Sequence, residues 1–399
     1  MAKNKKLSIQ SGEAWDSTFQ LMSWWDADSV KNGVVLVVGA GALGNEVLKN
    51  LTLMNVGKII IVDFDTIEMS NLNRSILFRA DDANKHKSKA QIAADRMMEI
   101  NPNIKVIAIN ADITYQLGLG LIRRCDVIIG CLDNRIARLY LNRFCSKVNK
   151  PWIDGAIENL AGTMTVNQLN KNCYECNLSE TEWKNIRFRL GCPDVASRNI
   201  KFGKIPTTPI SSSIIGAMQV QEAIKIIHGN TKQIEYHRKF YYEGMNNIAM
   251  WVEGGDRNEE CESHMLLDPI LENNKLSNDM TLKDFFKEVS DQVRQSFKLL
   301  LDTELVLELT SKSTEKSYDV VITKAGLNDE FLNKFRTQIS EDFMITKSVA
   351  SIENDSNLDN YTLHQIGIPP LAIVDIETKD DILHIELSKD LSKYTLLNN

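Results

Sequence analysis

Along the first 170 residues, short β-branched apolar runs alternate with stretches whose apolar positions recur at helical spacing. Residues 34–38 (VVLVV) stop at Gly39-Ala40-Gly41-Ala42-Leu43-Gly44 and continue as the helical pattern NEVLKNLTLMN. A second β-rich run, KIIIVDFD, occupies 58–65. Strand, glycine turn, helix and strand, in that order, make a βαβ unit. Further strands are predicted at 106–109 and 127–130, and helices near 87–100, 114–124 and 134–148. Strands at 152–155 and 162–167 extend the series. Such alternation predicts an α/β fold, a mostly parallel sheet covered by helices on both faces.

From about 170 to 210 the periodicity breaks down into a polar stretch carrying cysteines together with Pro193, Pro206 and Pro209. An amphipathic helix is predicted at 211–229, and two strand-like runs (QIEYHRKFYY and IAMWVEG) close the first domain near 265. Residues 266–280, rich in Asn, Leu, Asp and Ser, read as a linker. A second module follows, with helices at 282–297 and 328–341 and strands at 304–310, 318–323, 370–376 and 381–387. The expected division is therefore 1–170, 171–210 as an insertion, 211–265 as the return to the first domain, linker 266–280, and 281–399. A chain of 399 residues exceeds what one core usually serves, in keeping with two domains.

Composition narrows the function classes. A formal charge of −7 offers no general basic surface, which argues against nucleic-acid binding as the main activity. No window approaches the roughly 18 apolar residues of a membrane span, and the N-terminus has no apolar signal core, so a cytoplasmic protein is expected. Seven cysteines, an odd number, point to metal binding or a reactive thiol rather than a disulfide framework.

Gly39, Gly41 and Gly44 have the spacing that lets backbone N–H groups at a helix N-terminus approach phosphate, and Asp63 can hold ribose hydroxyls. Alone, this motif fits a nicotinamide or flavin enzyme as well. The next segment, Asp65-Thr66-Ile67-Glu68-Met69-Ser70-Asn71-Leu72-Asn73-Arg74, with Lys87-Ser88 beyond it, separates the readings. Adenylation needs cations where the α-phosphate becomes electrophilic and pyrophosphate leaves. GAGALGNEVLKNL, VDFDTIEMSNLNR, HKSKA and CLDNRIAR together resemble the ubiquitin-activating-enzyme superfamily, which includes the sulfur-carrier adenylyltransferases, over residues 12–265.

The resemblance implies a Rossmann-like, doubly wound sheet and a site for ATP and Mg2+. Gly39, Gly41, Gly44, Asp63 and Asp65 would belong to the nucleotide site, with Asp63 on the ribose. Asn71, Arg74 and Lys87 would bind the triphosphate, and Asp133 would bind magnesium. A helix N-cap is the bland alternative for Asp133. One departure stands out: members usually carry an Arg near the position of Thr18-Phe19, to reach the partner subunit's ATP, and this chain has none before Arg74.

Cys173-Tyr174-Glu175-Cys176 and Cys261-Glu262-Ser263-His264 pair a C-x-x-C with a C-x-x-H, a donor set suited to tetrahedral Zn2+. A redox pair with an unrelated surface histidine is the competing reading. The family has a structural zinc at these two places. Cys125, Cys131 and Cys145 fall in predicted regular structure and read as buried thiols. Cys192, in RLGCPDVASRN, lies where the family carries its catalytic cysteine, and Pro193 would favour an N-cap place for it, where the helix dipole lowers a thiol pKa. An inert loop cysteine is its alternative.

YTLHQIGIPPLAIVDIETKDDILHIEL at 361–387 resembles the end of the ubiquitin-fold (β-grasp) domain that recruits conjugating enzymes. The expectation is an ATP-dependent activating enzyme. It would adenylate a ubiquitin-like protein with a C-terminal glycine, capture it as a thioester on Cys192 and pass it to a conjugating enzyme, acting as a homodimer. The alternative is a sulfur-carrier or peptide-modifying adenylyltransferase without a stable thioester. A non-catalytic subunit and a nicotinamide-dependent oxidoreductase are further rivals.

Overall fold

The computed structural model describes residues 15–191, 206–336, 341–354 and 357–397. Two sheets carry the chain. The first has eight strands: β1 (Val34–Val38), β2 (Lys58–Val62), β3 (Lys105–Ile109), β4 (Val127–Gly130), β5 (Trp152–Glu158), β6 (Ala161–Asn167), β7 (Arg238–Glu243) and β8 (Ile248–Glu253). Their order is β3-β2-β1-β4-β5-β6-β7-β8, parallel from β3 to β5 and antiparallel thereafter.

The helices of this part are α1 (Ala27–Asn32), α2 (Ala42–Leu53), α3 (Ala80–Asn84), α4 (Lys89–Ile100), α5 (Leu119–Arg123), α6 (Arg135–Lys147), α7 (Glu180–Gly191) and α8 (Pro209–Ile227). β1 and β4, and β2 after its first residue Lys58, are apolar throughout because both sheet faces are covered. Val35 and Val37 enter one core with α2, α4 and α8, while Leu36 and Val38 enter another with α5 and α6.

The second sheet is built from β9 (Ile270–Asn273), β10 (Phe297–Ser311), β11 (Ser317–Thr323), β12 (Phe343–Glu353), β13 (Ile373–Thr378) and β14 (Ile382–Leu387), ordered β11-β10-β13-β14-β9 with β12 also on β10. Helix α9 (Leu282–Val293) lays Leu282, Phe285, Phe286 and Val289 into its core. Thr281 caps its start and Arg294, in the left-handed region, ends it. A single turn, α10 (Asp329–Leu332), covers the far end of β10 and β11.

Three expectations change. Residues 266–280 are not a free linker: β9 pairs in parallel with β14, and Ser277 and Asn278 donate to the buried Asp390 carboxylate at 2.6 and 2.9 Å. A four-residue edge strand with two exposed positions has too short a pattern to read. The helix expected at 328–341 is reduced, among described residues, to α10, while β12 was not foreseen because its side chains are mostly exposed. Within 170–210, read as a polar stretch without clear periodicity, α7 forms before Cys192 with a weakly amphipathic sequence.

The two sheets meet through a buried charge. Glu386, fully buried, receives Arg123 at 3.1 Å and Arg124 at 2.7 Å, and Ser388 Oγ donates to it at 2.9 Å. Gly120 makes the approach possible: its N–H donates to Leu371 O at 2.9 Å, and a Cβ there would lie 2.8 Å from Glu386 Oε2. Removing the carboxylate leaves the two guanidinium groups with only the more exposed Glu272 as a counter-charge. Glu386→Ala is expected to cost about 3 kcal/mol, the low end for a broken buried pair because the arginines are partly exposed. Urea unfolding of the full chain measures it.

Candidate functional site

The glycine turn, Asp63 and Asp133 follow the ends of strands at the point where the sheet order reverses. β1 lies between β2 and β4, with Val38 in register with Val62 on one side and Gly130 on the other. Gly39 N–H donates to Val62 O and Cys131 N–H to Val38 O, both at 2.8 Å, so three strand ends leave the sheet side by side. Doubly wound sheets bind ligands in the crevice at such a switch point.

The glycines have three separate reasons. Gly39 has φ +96°, and a Cβ on it would sit 2.5 Å from Cys131 O. One on Gly44 would lie 2.0 Å from Gly39 O, which is how closely α2 packs onto the turn. Gly41, the N-cap of α2, would meet nothing within 4 Å: its Cα faces open space at the helix N-terminus.

Asp63, at the end of β2, accepts Ala40 N–H at 2.7 Å and Asp65 N–H at 2.8 Å. Burial pushes its carboxyl up, opposed by Lys89 and those two N–H groups. Each of its oxygens keeps a lone pair suited to a ribose hydroxyl. Asp65 pairs with Lys89 at 2.7 Å. Asp133 follows β4 and is exposed. The N-cap of α6 is Asn134, whose side chain accepts Ala137 N–H at 2.9 Å, so capping does not occupy Asp133.

Asn71 and Arg74 lie on a 3₁₀ segment (Met69–Arg74) after β2. The Asn71 carbonyl oxygen caps that segment by accepting Glu68 N–H at 2.9 Å, leaving its NH2 as a donor. Arg74 folds back to Ser70 O and to Asn73 at 3.0 Å. Lys87 rests on the buried Asp82 at 2.8 Å, a hydrogen bond that raises its pKa. Both cations are thus held by protein groups in this structure.

Residues missed from sequence hold the parts in place. Asn45, fully buried, donates to Ala40 O at 2.7 Å and accepts Leu77 N–H at 2.9 Å, tying the glycine turn to the Arg74 segment. Gln219 of α8 donates to Gly130 O at 2.9 Å and Ile153 O at 3.2 Å. Lys89 N–H and Ile67 N–H secure the 87–89 stretch against 65–67, at 3.0 and 2.9 Å. The available signal was a polar side chain on the apolar face of an amphipathic helix, as at Asn45 in GALGNEV.

The thiol-imidazole cluster also assembles. Ligand atoms of Cys173, Cys176, Cys261 and His264 all lie within 4.8 Å of one another. Sulfur separations of 3.5 and 3.8 Å, and 3.5 Å from Cys176 Sγ to His264 Nε2, match a tetrahedron edge of about 3.8 Å at a Zn–S bond near 2.3 Å. Asn142, fully buried on α6, donates to Cys173 Sγ at 3.4 Å and Ser263 Oγ at 2.7 Å and accepts from Trp152 Nε1 at 3.1 Å. The donor set fits zinc.

Cys125 and Cys145 are buried, and burial pushes Cys125 up to about 12 and Cys131 and Cys145 well above the usual thiol range, so these thiols are poor nucleophiles. Cys192 lies outside the described residues. After it, Pro206 O accepts Asn159 N–H at 2.7 Å and Thr208 caps α8, stitching the returning chain to the β5–β6 turn.

The signature of the ThiF family spans residues 17–263, more than half of the chain. The chain belongs to the ThiF family. It is 32% identical to the molybdopterin-synthase adenylyltransferase of Escherichia coli (strain K12) over 51% of this chain and 77% of that protein. It is 35% identical to SUMO-activating enzyme subunit 2 of Dictyostelium discoideum over 41% of this chain, but spans only 25% of that relative's length. The fold is shared with E. coli MccB solved with ATP: TM-score 0.52, 21% identity, 64% of this chain and 75% of that one covered. The family match ends before β9, so the second sheet lies outside it. No helix of the described residues is long and apolar enough to cross a membrane.

Gly44→Ala should destabilise the fold by about 1–3 kcal/mol or more, because backbone must shift. Gly41→Ala should leave the melting temperature in place yet weaken ATP binding about tenfold or more, since its Cβ would enter the ligand's space. Calorimetric titration with thermal melts separates the two. Elemental analysis should find one zinc per chain, lost in Cys176→Ser and retained in Cys192→Ser. Strong chelation should lower the melting temperature.

Proposed function

We propose that this protein is an ATP-dependent activating enzyme that adenylates the C-terminal carboxylate of a small ubiquitin-like protein ending in glycine. The observation that carries the reading is the meeting of the glycine turn, Asp63 and Asp133 at three adjacent strand ends, in a chain of the ThiF family. Gly41 and the α2 N-terminus cradle phosphate, Asp63 holds the ribose, and Asn71, Arg74 and Lys87 neutralise the triphosphate. Asp133 would hold Mg2+, which supplies charge neutralisation for the departing pyrophosphate.

A carboxylate oxygen of the terminal glycine attacks the α-phosphorus. The bond from that phosphorus to the bridging oxygen breaks, and pyrophosphate leaves. The Cys192 thiolate then attacks the acyl carbon, forming a thioester as the acyl–phosphate oxygen bond breaks and AMP departs. Transthiolation to a conjugating-enzyme cysteine completes the cycle. Residues 281–399, read as a ubiquitin-fold domain, would dock that enzyme. Zn2+ on Cys173, Cys176, Cys261 and His264 is structural. The enzyme works as a homodimer in the cytoplasm, and a group other than an N-terminal Arg supplies the charge lacking near Thr18.

A second reading, a sulfur-carrier adenylyltransferase without a stable thioester, is favoured by the extent of the match to the E. coli adenylyltransferase. ATP–pyrophosphate exchange tests the shared first step. Arg74→Ala, Lys87→Ala and Asp133→Ala should each lower the exchange rate by about a hundredfold or more with the fold intact, the scale of losing one preorganised charge at a transition state. No exchange with any glycine-terminated partner rejects the proposal. Cys192→Ala should keep exchange and abolish a thiol-sensitive adduct on non-reducing gels; an adduct that persists assigns the nucleophile elsewhere.

A further inference from the structure

The two ligand pairs of the thiol-imidazole cluster are joined by more than their ligands. Glu175 lies between Cys173 and Cys176, and Glu262 and Ser263 lie between Cys261 and His264; all three meet side chains of α6. Arg143 donates two parallel hydrogen bonds to the buried Glu175 carboxylate, both at 2.9 Å, and a third to Glu262 at 2.8 Å. Ser263 Oγ donates to Glu175 Oε2, the oxygen that Arg143 Nε also reaches. The intervening side chains thus tie one pair to the other, and both to α6, with no ligand atom taking part.

Asn142, one residue earlier on α6, uses all four of its hydrogen-bonding positions in the same place. Its NH2 group donates to Cys173 Sγ at 3.4 Å and Ser263 Oγ at 2.7 Å, and its carbonyl oxygen accepts Trp152 Nε1 at 3.1 Å and Tyr174 N–H at 3.2 Å. Asn258 N–H donates to a second ligand, Cys176 Sγ, at 3.4 Å. Farther out, Asn177 donates to Cys173 O at 2.8 Å and accepts Gly255 N–H at 3.0 Å, again joining the two segments.

Two physical consequences follow. Three thiolates around a divalent ion leave one negative charge in excess, which N–H donors to sulfur offset. A site that is assembled only part of the time binds its metal more weakly by that fraction, and contacts that need no metal raise the fraction. The strongest of these contacts is the two-pronged, charge-assisted Arg143–Glu175 pair, whose carboxylate is buried.

We propose that Asn142 and Arg143 are positioning residues for the metal: the Arg143–Glu175 pair holds the two ligand pairs together before the ion arrives, and the Asn142 amide sets the donor strength of Cys173 toward it. The proposal rests on the reading of this cluster as a zinc site.

Full-length protein stripped of metal by chelation is titrated with Co2+, whose thiolate charge-transfer absorption reports the sulfur ligands. The unaltered protein is expected to rebind Co2+ at a rate that rises in proportion to Co2+ concentration. Arg143→Met should weaken Co2+ binding about tenfold or more, and its rebinding rate should level off at high Co2+, because the ligands must assemble first. Arg143→Lys, which keeps the charge but not the paired geometry, takes its place if Arg143→Met lacks a native melting curve. Asn142→Asp keeps the acceptor contacts and removes the donor to sulfur. Its charge-transfer band should move to longer wavelength, a change that a merely structural residue would not produce. An unshifted band in Asn142→Asp overturns the role of Asn142. Unchanged affinity and rebinding in the arginine variant overturn that of Arg143, as does rebinding that already levels off in the unaltered protein. A chain that takes up no Co2+ at all rejects the zinc reading and the proposal with it.

Discussion

The candidate site depends on how closely the first turn of α2 lies against the end of β1. With only a hydrogen on Gly44 facing Gly39 O, the first turn of α2 packs directly onto the glycine turn, which sets where its N-terminal N–H groups point. Any side chain there would push the helix away and lose that aim. The same contact sets the level of Asp63, since Ala40 N–H is the donor that fixes its carboxylate. Backbone geometry positions the charged groups here, and the charged groups add little to the geometry.

Sequence revealed the parts of this arrangement that follow from local rules. The VVLVV run, the glycine turn and the KIIIV run could be read because fully buried parallel strands need apolar residues at every position. C-x-x-C and C-x-x-H could be paired because metal chemistry restricts donor types. Asn45 and Gln219 could not, because a buried polar residue has meaning only through a partner distant in the chain: Leu77 N–H and Gly130 O. β9 and β12 failed for a related reason. Edge strands bury little, so alternation fades from their sequences and their pairing is decided by neighbours more than a hundred or a few tens of residues away.

The junction between the sheets is polar at its centre and apolar around it. Leu371, Ile373, Tyr394 and Leu396 enter the α5–α6 core while Glu386 meets the two arginines. The apolar contacts supply adhesion without direction, and the buried carboxylate adds it by facing Arg123 and Arg124 at once. A module attached this way presents its far end, β11, α10 and the tip of β10, at a fixed bearing from the crevice.

The ligand pairs of the thiol-imidazole cluster lie 88 positions apart in the chain. Between them lie α7, α8 and the sheet strands β7 and β8, so the cluster ties the chain before α7 to the chain after β8 beside α6. A clasp of this kind isolates the scaffold from the length of what it encloses: lengthening the enclosed chain adds only a logarithmic entropic cost, about 0.6 kcal/mol per doubling. A change of length between α7 and Pro206 would therefore cost the fold little, because α8, β7 and β8 are held by their own packing and ladders.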